Sequence, residues 1–507
     1  MESQTKKSKY EIDMCNGTIM DKLISFSLPL MLSGILQLMF NAVDIIVVGR
    51  FSGSQSLAAV GSTTALINMF TNLFIGISLG ANVLAARFYA AKREKEMSET
   101  VHTAITLALI SGIVMAFVGV IFSRFALELM DTPDDVIGLS TLYMRIYFLG
   151  MPFFMLYNYG AAILRAVGDT KRPLFFLVAA GVINAGLNLL LVIVFDMGVA
   201  GVAIGTIVSQ MISSILVLRC LCRSEGSYKL SFSKLRIRGI YMKQIFQVGI
   251  PAGIQSTVIN FSNVLLQSSV NSFGSTAMAG YTAANNIFGF LYVTVNSVTQ
   301  TCMSFTSQNY GAGKSKRMDK VLIDCIILSV VITSILGVSA YGFGPELLKI
   351  YTEDAKVIQC GMEILLYTTV TYFLCGLMDL FPGALRGMGH SAVPMILSVI
   401  GTVGTRIVWI FWIFPAHHSL DILFISYPAS WIITIIMQVI CYYFVRKKVH
   451  RDMQRGGFAL KGKDRSRHAN AQCRRYQQCA QFLNLHLQPP FQKPHPQQKV
   501  QPGSGWW

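Results

Sequence analysis

Ser33, Gln37, Asn41 and Asp44 stand at i, i+4, i+8 and i+11 inside one long apolar run. That spacing puts all four on one face of a helix. Asp44 is the single carboxylate of the run. An ionised carboxylate among apolar side chains is costly, so it either takes a proton or holds a cation. The competing reading is a protonated structural acid bonded to a neighbouring helix. Other apolar runs carry polar side chains too. Asn184 and Asn188 are i and i+4 on one face, and Asn158 and Thr206 lie in adjacent runs. Singly, such groups more often join helix to helix than form a site. Converging on Asp44 with Gln37, they would make an ion-coupling cluster with room for H+ or Na+.

A later run repeats the stripe with Ser256, Asn260, Asn263 and Gln267, and Leu266 takes the place of Asp44. Ion coupling that resides in one half therefore resides in the first. Asn41, Asn260, Asn263 and Gln267 are expected to line a substrate cleft with Asp379 and Arg406. The last two either pair with each other or face the cleft. Arg406 either pins helices together or binds an anion. Arg165 and Arg386, at helix ends beside glycines, read as loop-stabilising cations. No nucleophile–base pair, phosphate loop or metal spacing supports an enzyme, a metal centre or a cofactor, and the ten cysteines are scattered.

The elements that must position these groups follow from composition. The chain has 507 residues, of which 53% are hydrophobic and 13% charged. Soluble domains carry about 25% charged residues, and the mean hydropathy here is +0.52. A membrane span needs about 20 apolar residues. Twelve runs qualify, near 23–49, 57–83, 99–123, 137–164, 173–195, 198–220, 244–272, 278–305, 320–345, 357–385, 393–414 and 421–445. Backbone groups in lipid must bond within the segment, so the runs are helices. Barrel strands would alternate over about ten residues, and no such pattern is present. The first 22 residues are polar and mixed in charge, unlike a signal peptide.

Alternate loops are basic, as at Arg87–Lys95, Arg165–Arg172, Arg223–Lys243 and Lys314–Lys320. The others are poor in cations or acidic, as at Asp131–Asp135 and Glu353-Asp354. By the positive-inside rule the basic set is cytoplasmic. With twelve spans, both termini lie there as well.

The halves also resemble each other at a fixed offset. Leu164, Arg165, Gly168 and Pro173 match Leu385, Arg386, Gly389 and Pro394, and Tyr89 matches Tyr310. One residue of slip earlier, Pro29, Asn41 and Phe51 match Pro251, Asn263 and Phe273. Six spans per repeat is an even number, so the repeats are parallel, related by an axis along the membrane normal. The expected organisation is an N-terminal segment (1–22), a six-helix bundle (23–221), a linker (222–243), a second bundle (244–446) and a tail (447–507). Such repeats are typical of transporters that rock two bundles about a midplane site.

At these residues the chain resembles the multidrug and toxic compound extrusion (MATE) family of prokaryotes. The likeness covers about 15–448. It rests on Phe40-Asn-Ala-Val-Asp44-Ile-Ile-Val-Val-Gly49, the twin Leu-Arg-x-x-Gly motifs at 164–168 and 385–389, and Asn184-x-x-x-Asn188. The resemblance implies an all-α integral membrane protein with twelve helices in two pseudo-symmetric bundles, V-shaped about a central cleft. It implies export of organic cations in exchange for H+ or Na+, with Asp44 central and Gln37, Asn158, Asn184 and Thr206 around it. The chain departs from part of the family. Asn188 stands where some members have a second Asp, and Asn260 lies near another branch's helix 7 Glu. Asp379 is not carried onto that branch's helix 10 Asp.

The expected function is therefore a secondary antiporter exporting amphipathic, cationic compounds. It would be a monomer in the bacterial inner membrane, meeting small molecules and lipids and no nucleic acid. The alternative is a flippase for a lipid-linked saccharide, which predicts a cationic cleft. Asp44 argues against that reading and Arg406 for it. The net charge of +17 does not point to nucleic acid. Residues 455–507 supply nine Lys/Arg against Asp464, and the rest of the excess is mostly in the basic loops. This Gln- and Pro-rich tail has no apolar period and is expected to be disordered, either as an appended end or as a polybasic lipid contact.

Overall fold

The structure is a computed structural model that describes residues 9–130 and 132–454, apart from the side chain of Ala65. The tail 455–507 lies outside the described residues. The described residues up to Arg451 form one compact unit.

Twelve spans succeed one another along the chain, almost where the apolar runs place them. They are α1 (Met20–Phe51), α2 (Gly53–Ala90), α3 (Glu94–Leu129), α4 (Asp134–Leu149 with Met151–Ala166), α5 (Lys171–Val194) and α6 (Gly198–Arg223). The second set is α7 (Gly239–Asn271), α8 (Ser275–Gly311), α9 (Ser315–Gly342), α10 (Ala355–Thr369 with Tyr372–Gly387), α11 (Ala392–Ala416) and α12 (Leu420–Gln454). α4 and α10 occupy the same place in each repeat, and both are bent, by 46° and 45°. Eight helices are long and apolar enough to cross a membrane, and the two bent pairs bring the number to ten. α7 and α8 fall outside that set, although they have 33 and 37 residues. Their faces carry Gln255, Asn260, Asn263, Asn285, Asn296 and Gln300. Helices of that length with polar faces belong at a wet interior, turned away from lipid. The outer faces of other spans expose Phe117, Leu129, Phe411 and Trp412, as a lipid belt requires.

α1–α6 pack mainly on one another, and α8–α10 do likewise, while α7 packs chiefly on α2. The two bundles meet most extensively where α2 crosses α7. Gly76 and Gly80 of α2 face Gly249 and Gly253 of α7, a G-x-x-x-G pair on each side. A Cβ added at Gly76 would strike the backbone of Gly253, and one at Gly253 would strike the backbone of Leu73. Small residues at this spacing let helix backbones touch, and close packing is what holds helices together in lipid. Further inter-bundle contacts lie on the same basic-loop side. Phe26 packs edge-on against Phe305 with centroids 5.6 Å apart. Ser304 donates to Asn82 at 3.1 Å, and Gln308 donates to the Ala166 carbonyl at 2.7 Å.

A strap N-terminal to α1 crosses this closed end. Glu11 accepts from Tyr89 of the first half at 2.9 Å and from Tyr228 of the linker at 2.6 Å. Lys314 donates to the Cys15 carbonyl at 2.8 Å, and Arg317 to the Gly17 carbonyl at 2.9 Å, both from the second half.

The glycine crossing sets a direct expectation. Gly253→Val inserts a side chain where only backbone can yield, so it costs at least the roughly 1–3 kcal/mol of ordinary overpacking. It should lower the melting temperature of the purified protein. Gly61→Val on α2, with nothing within 4 Å of its added Cβ, should leave it nearly unchanged. Equal melting temperatures would mean that the crossing does not hold the bundles together.

Candidate functional site

Gly181 and Gly205 shape the polar site of the first bundle. A Cβ at Gly181 would overlap the Phe40 ring, and one at Gly205 would overlap Asn188 Oδ1. These two absences let α1 settle against α5 and let the Asn188 amide turn inward. Asp44, on α1, is then 8% exposed. Asn188 Nδ2 donates to Asp44 Oδ1. Thr206 Oγ1 donates to Asp44 Oδ2 at 3.4 Å, and Asn188 Nδ2 also reaches Asn184 Oδ1 at 3.3 Å. Asn184 Nδ2 lies 3.5 Å from Thr206 Oγ1. Every partner of the carboxylate is neutral, and Asn188 Oδ1 is buried with no donor. A buried acceptor without a donor is costly, so this corner has unused capacity for a proton or a small cation. Tyr143 and Tyr147 of α4 lie within electrostatic reach of Asp44.

The structure thus brings together Asp44, Asn184, Asn188 and Thr206. It does not bring the other expected members into this hydrogen-bonded group. Asn158 donates to the Phe154 carbonyl of its own helix at 2.9 Å. Gln37 and Asn41 are exposed and, among the described residues, make no hydrogen bond to the cluster.

A cavity of about 390 Å³ lies in the second bundle against α2 of the first. Asn260, Asn263, Asp379 and Arg406 line it; Asn41 and Gln267 do not. Gln267 instead donates to Asn271 at 3.2 Å. Asp379 and Arg406 do not form an ion pair. Asp379 faces the charge of Arg386 and hydrogen-bonds Tyr292. Arg406 is 3% exposed, donates to Asn263 Oδ1 at 2.8 Å and Ser262 Oγ at 3.3 Å, and lies 4.5 Å over the Tyr427 ring. Its Nε has no partner. Arg386 departs from its reading as a loop cation. It lines the cavity and donates to Gln255 at 2.7 Å. α10 turns it inward, because Gly383 and Gly387 let that face press against α8 at Thr299 and Met303.

Sequence reasoning missed the α8 wall. Asn285, Gly289, Tyr292, Asn296 and Gln300 line the cavity at i, i+4, i+7, i+11 and i+15. That spacing is a helix face and was legible. Asn72, Tyr427 and Trp431 also line it and carried no comparable pattern. Among the described residues no three His, Cys, Asp or Glu side chains form a metal cluster.

The repeat seen in the motifs is also seen by comparison. A family model described as MatE matches residues 29–190 and again 251–412. The chain belongs to the MatE family. It is 30% identical over 434 residues to the probable multidrug resistance protein YoeA of Bacillus subtilis (strain 168), across 83% of this chain and 93% of that protein. It is 21% identical over 379 residues to the multidrug export protein MepA of Staphylococcus aureus (strain NCTC 8325 / PS 47), across 75% and 84%. A multidrug resistance MATE family transporter in its outward-facing conformation shares the fold, with TM-score 0.81, 19% identity and coverage of 88% and 100%. The Vibrio cholerae MATE transporter VcmN in its bent form does too, with TM-score 0.77, 17% identity and coverage of 86% and 97%. The two-bundle membrane fold and the membership of a multidrug efflux family expected from the motifs are therefore established.

At the offset of the first helices of the two MatE matches, Asp44 meets Leu266 and Asn41 meets Asn263. The same helix pair builds a polar contact in each bundle, α1 with α5 and α7 with α11. The first places a carboxylate there and the second a guanidinium. Each lies beside a π-helical turn, Leu190–Val194 after Asn188 and Val399–Gly404 before Arg406. Such turns recur at functional sites.

Trp431 supplies a reporter for the cavity. An aromatic ligand bound there should quench the intrinsic fluorescence, and Trp431→Phe should remove most of that response. Trp412→Phe, on the 70% exposed outer face, should not. Quenching that survives Trp431→Phe would place the ligand elsewhere.

Proposed function

We propose that the protein is a secondary active antiporter that exports amphipathic, cationic organic compounds in exchange for H+ or Na+ by alternating access. The observation that carries this reading is Asp44, a buried carboxylate with only neutral partners. Around it, Asn184, Asn188 and Thr206 offer the oxygen ligands a hard cation prefers. A bound proton or Na+ neutralises Asp44 and changes what the site favours next. Drug and ion then oppose each other's binding, and that coupling is reciprocal. The side of the basic loops lies in the cytoplasm under the positive-inside rule, and both termini lie there too. On this reading the bundles are closed towards the cytoplasm, with the protein a monomer in the bacterial plasma membrane and its outer faces against lipid.

A second reading, a flippase for a lipid-linked saccharide, has Arg386 and Arg406 in its favour, since both line the cavity. It predicts movement that needs neither ion gradient.

Asp44→Asn tests the first reading. In a host lacking its own pumps and at equal expression, efflux of ethidium or a fluoroquinolone should fall to the level of cells without the protein. Unchanged efflux removes Asp44 from coupling. In vesicles, an imposed proton or sodium gradient should drive drug uptake, and the effective gradient names the ion.

A further inference from the structure

The charges of the second bundle's cavity do not cancel. Its lining holds one carboxylate, Asp379, and two guanidinium groups, Arg386 and Arg406. Arg386 and Asp379 act on each other. Arg406 is left with neutral partners, Ser262, Asn263 and the Tyr427 ring, and its buried Nε donates to nothing. Among the described residues it has no ion pair. A buried, uncompensated charge costs several kcal/mol, and an intramembrane arginine that lines a cavity is a candidate functional group by default.

We propose that Arg406 binds the carboxylate of exported compounds that carry one, so that zwitterionic aromatic amphiphiles are held more tightly than simple cations of the same shape. The proposal rests on the export reading and narrows its substrate class. Three features point to this ligand. A surplus of one positive charge matches a monoanion, whereas a lipid-linked diphosphate brings two or more negative charges. The free guanidinium N–H beside those already engaged suits a planar carboxylate. The volume of about 390 Å³ fits a drug-sized molecule, and Phe288, Tyr372 and Trp431 in its wall offer ring faces. The first bundle presents Asp44 in its own α1–α5 contact, the counterpart of the α7–α11 contact that holds Arg406, so the two halves offer opposite charges.

The test is equilibrium dialysis of the purified full chain in detergent, with no gradient. The probes are norfloxacin, which carries both an amine and a carboxylate, and its methyl ester, which keeps only the amine. A charge-assisted contact is worth about 1.5–3 kcal/mol, so the acid should bind roughly ten- to a hundredfold tighter than the ester. Arg406→Gln should bring the acid down to the affinity of the ester and leave the ester unchanged. Arg406→Lys should keep part of the preference. Equal affinity of acid and ester in the unaltered protein overturns the proposal without any variant. So does an Arg406→Gln protein that elutes normally and keeps the acid preference, or that weakens both ligands alike. Because dialysis requires no transport, Asp44→Asn should retain the acid preference even where it abolishes efflux. A failure of the antiport reading is thereby distinguished from a failure of the carboxylate site.

Discussion

A charge placed inside a membrane must find its partner within the protein, and the architecture is arranged around the few charges that do so. Asp44 finds Asn188 and Thr206. Asp379 finds Tyr292 and the field of Arg386. Arg406 finds an amide, a hydroxyl and a ring face, and still has one donor to spare. Water does none of this work in hydrocarbon, so helices must bring the partners close enough to touch. Glycines make that possible. Gly181 and Gly205 admit α1 and Asn188 in one bundle, while Gly383 and Gly387 seat α10 against α8 in the other.

The same logic explains why the bundles close at one end. The α2–α7 crossing has no side chains between its backbones, so its strength is packing alone, without a buried polar group to break. Above it sit short polar bonds such as Ser304 to Asn82 and Gln308 to the Ala166 carbonyl. The strap at Glu11–Gly17 adds bonds to both halves at the rim, where water is near. Contacts of this kind are individually modest and can exchange for water as the bundles move. A buried charge pair at the crossing would instead have locked it.

The family model matches the chain twice, and the two bundles differ most clearly in their buried charges. Bends in α4 and α10 and π turns in α5 and α11 recur in both halves. At the corresponding helix contact the chemistry differs, with Asp44 against Asn188 in one half and Arg406 against Asn263 in the other. Two similar bundles thus hold a buried carboxylate in one half and a buried guanidinium in the other.

Much of this was legible along the chain. Apolar length and the charge of the loops determine where helices begin and end, because lipid allows one way of satisfying a backbone. The i, i+4 spacing of Asn184 and Asn188 and the burial cost of Asp44 marked the first site before any coordinates. The sequence alone also determined the repeat and the resemblance to the family. It did not determine which polar side chains share a site. Gln37 and Asn158 have the right types and helices yet face other surroundings. Arg386 sits beside glycines that read as a helix end, but those glycines seat its helix against α8 and turn the guanidinium into the cavity. Which face of a helix meets which neighbour depends on rotation and crossing angle. Both are set by glycines and ring contacts many residues away in sequence. Only the packed structure therefore decided that Arg386, Asp379 and Arg406 share one wall, and that one of the three charges is left over.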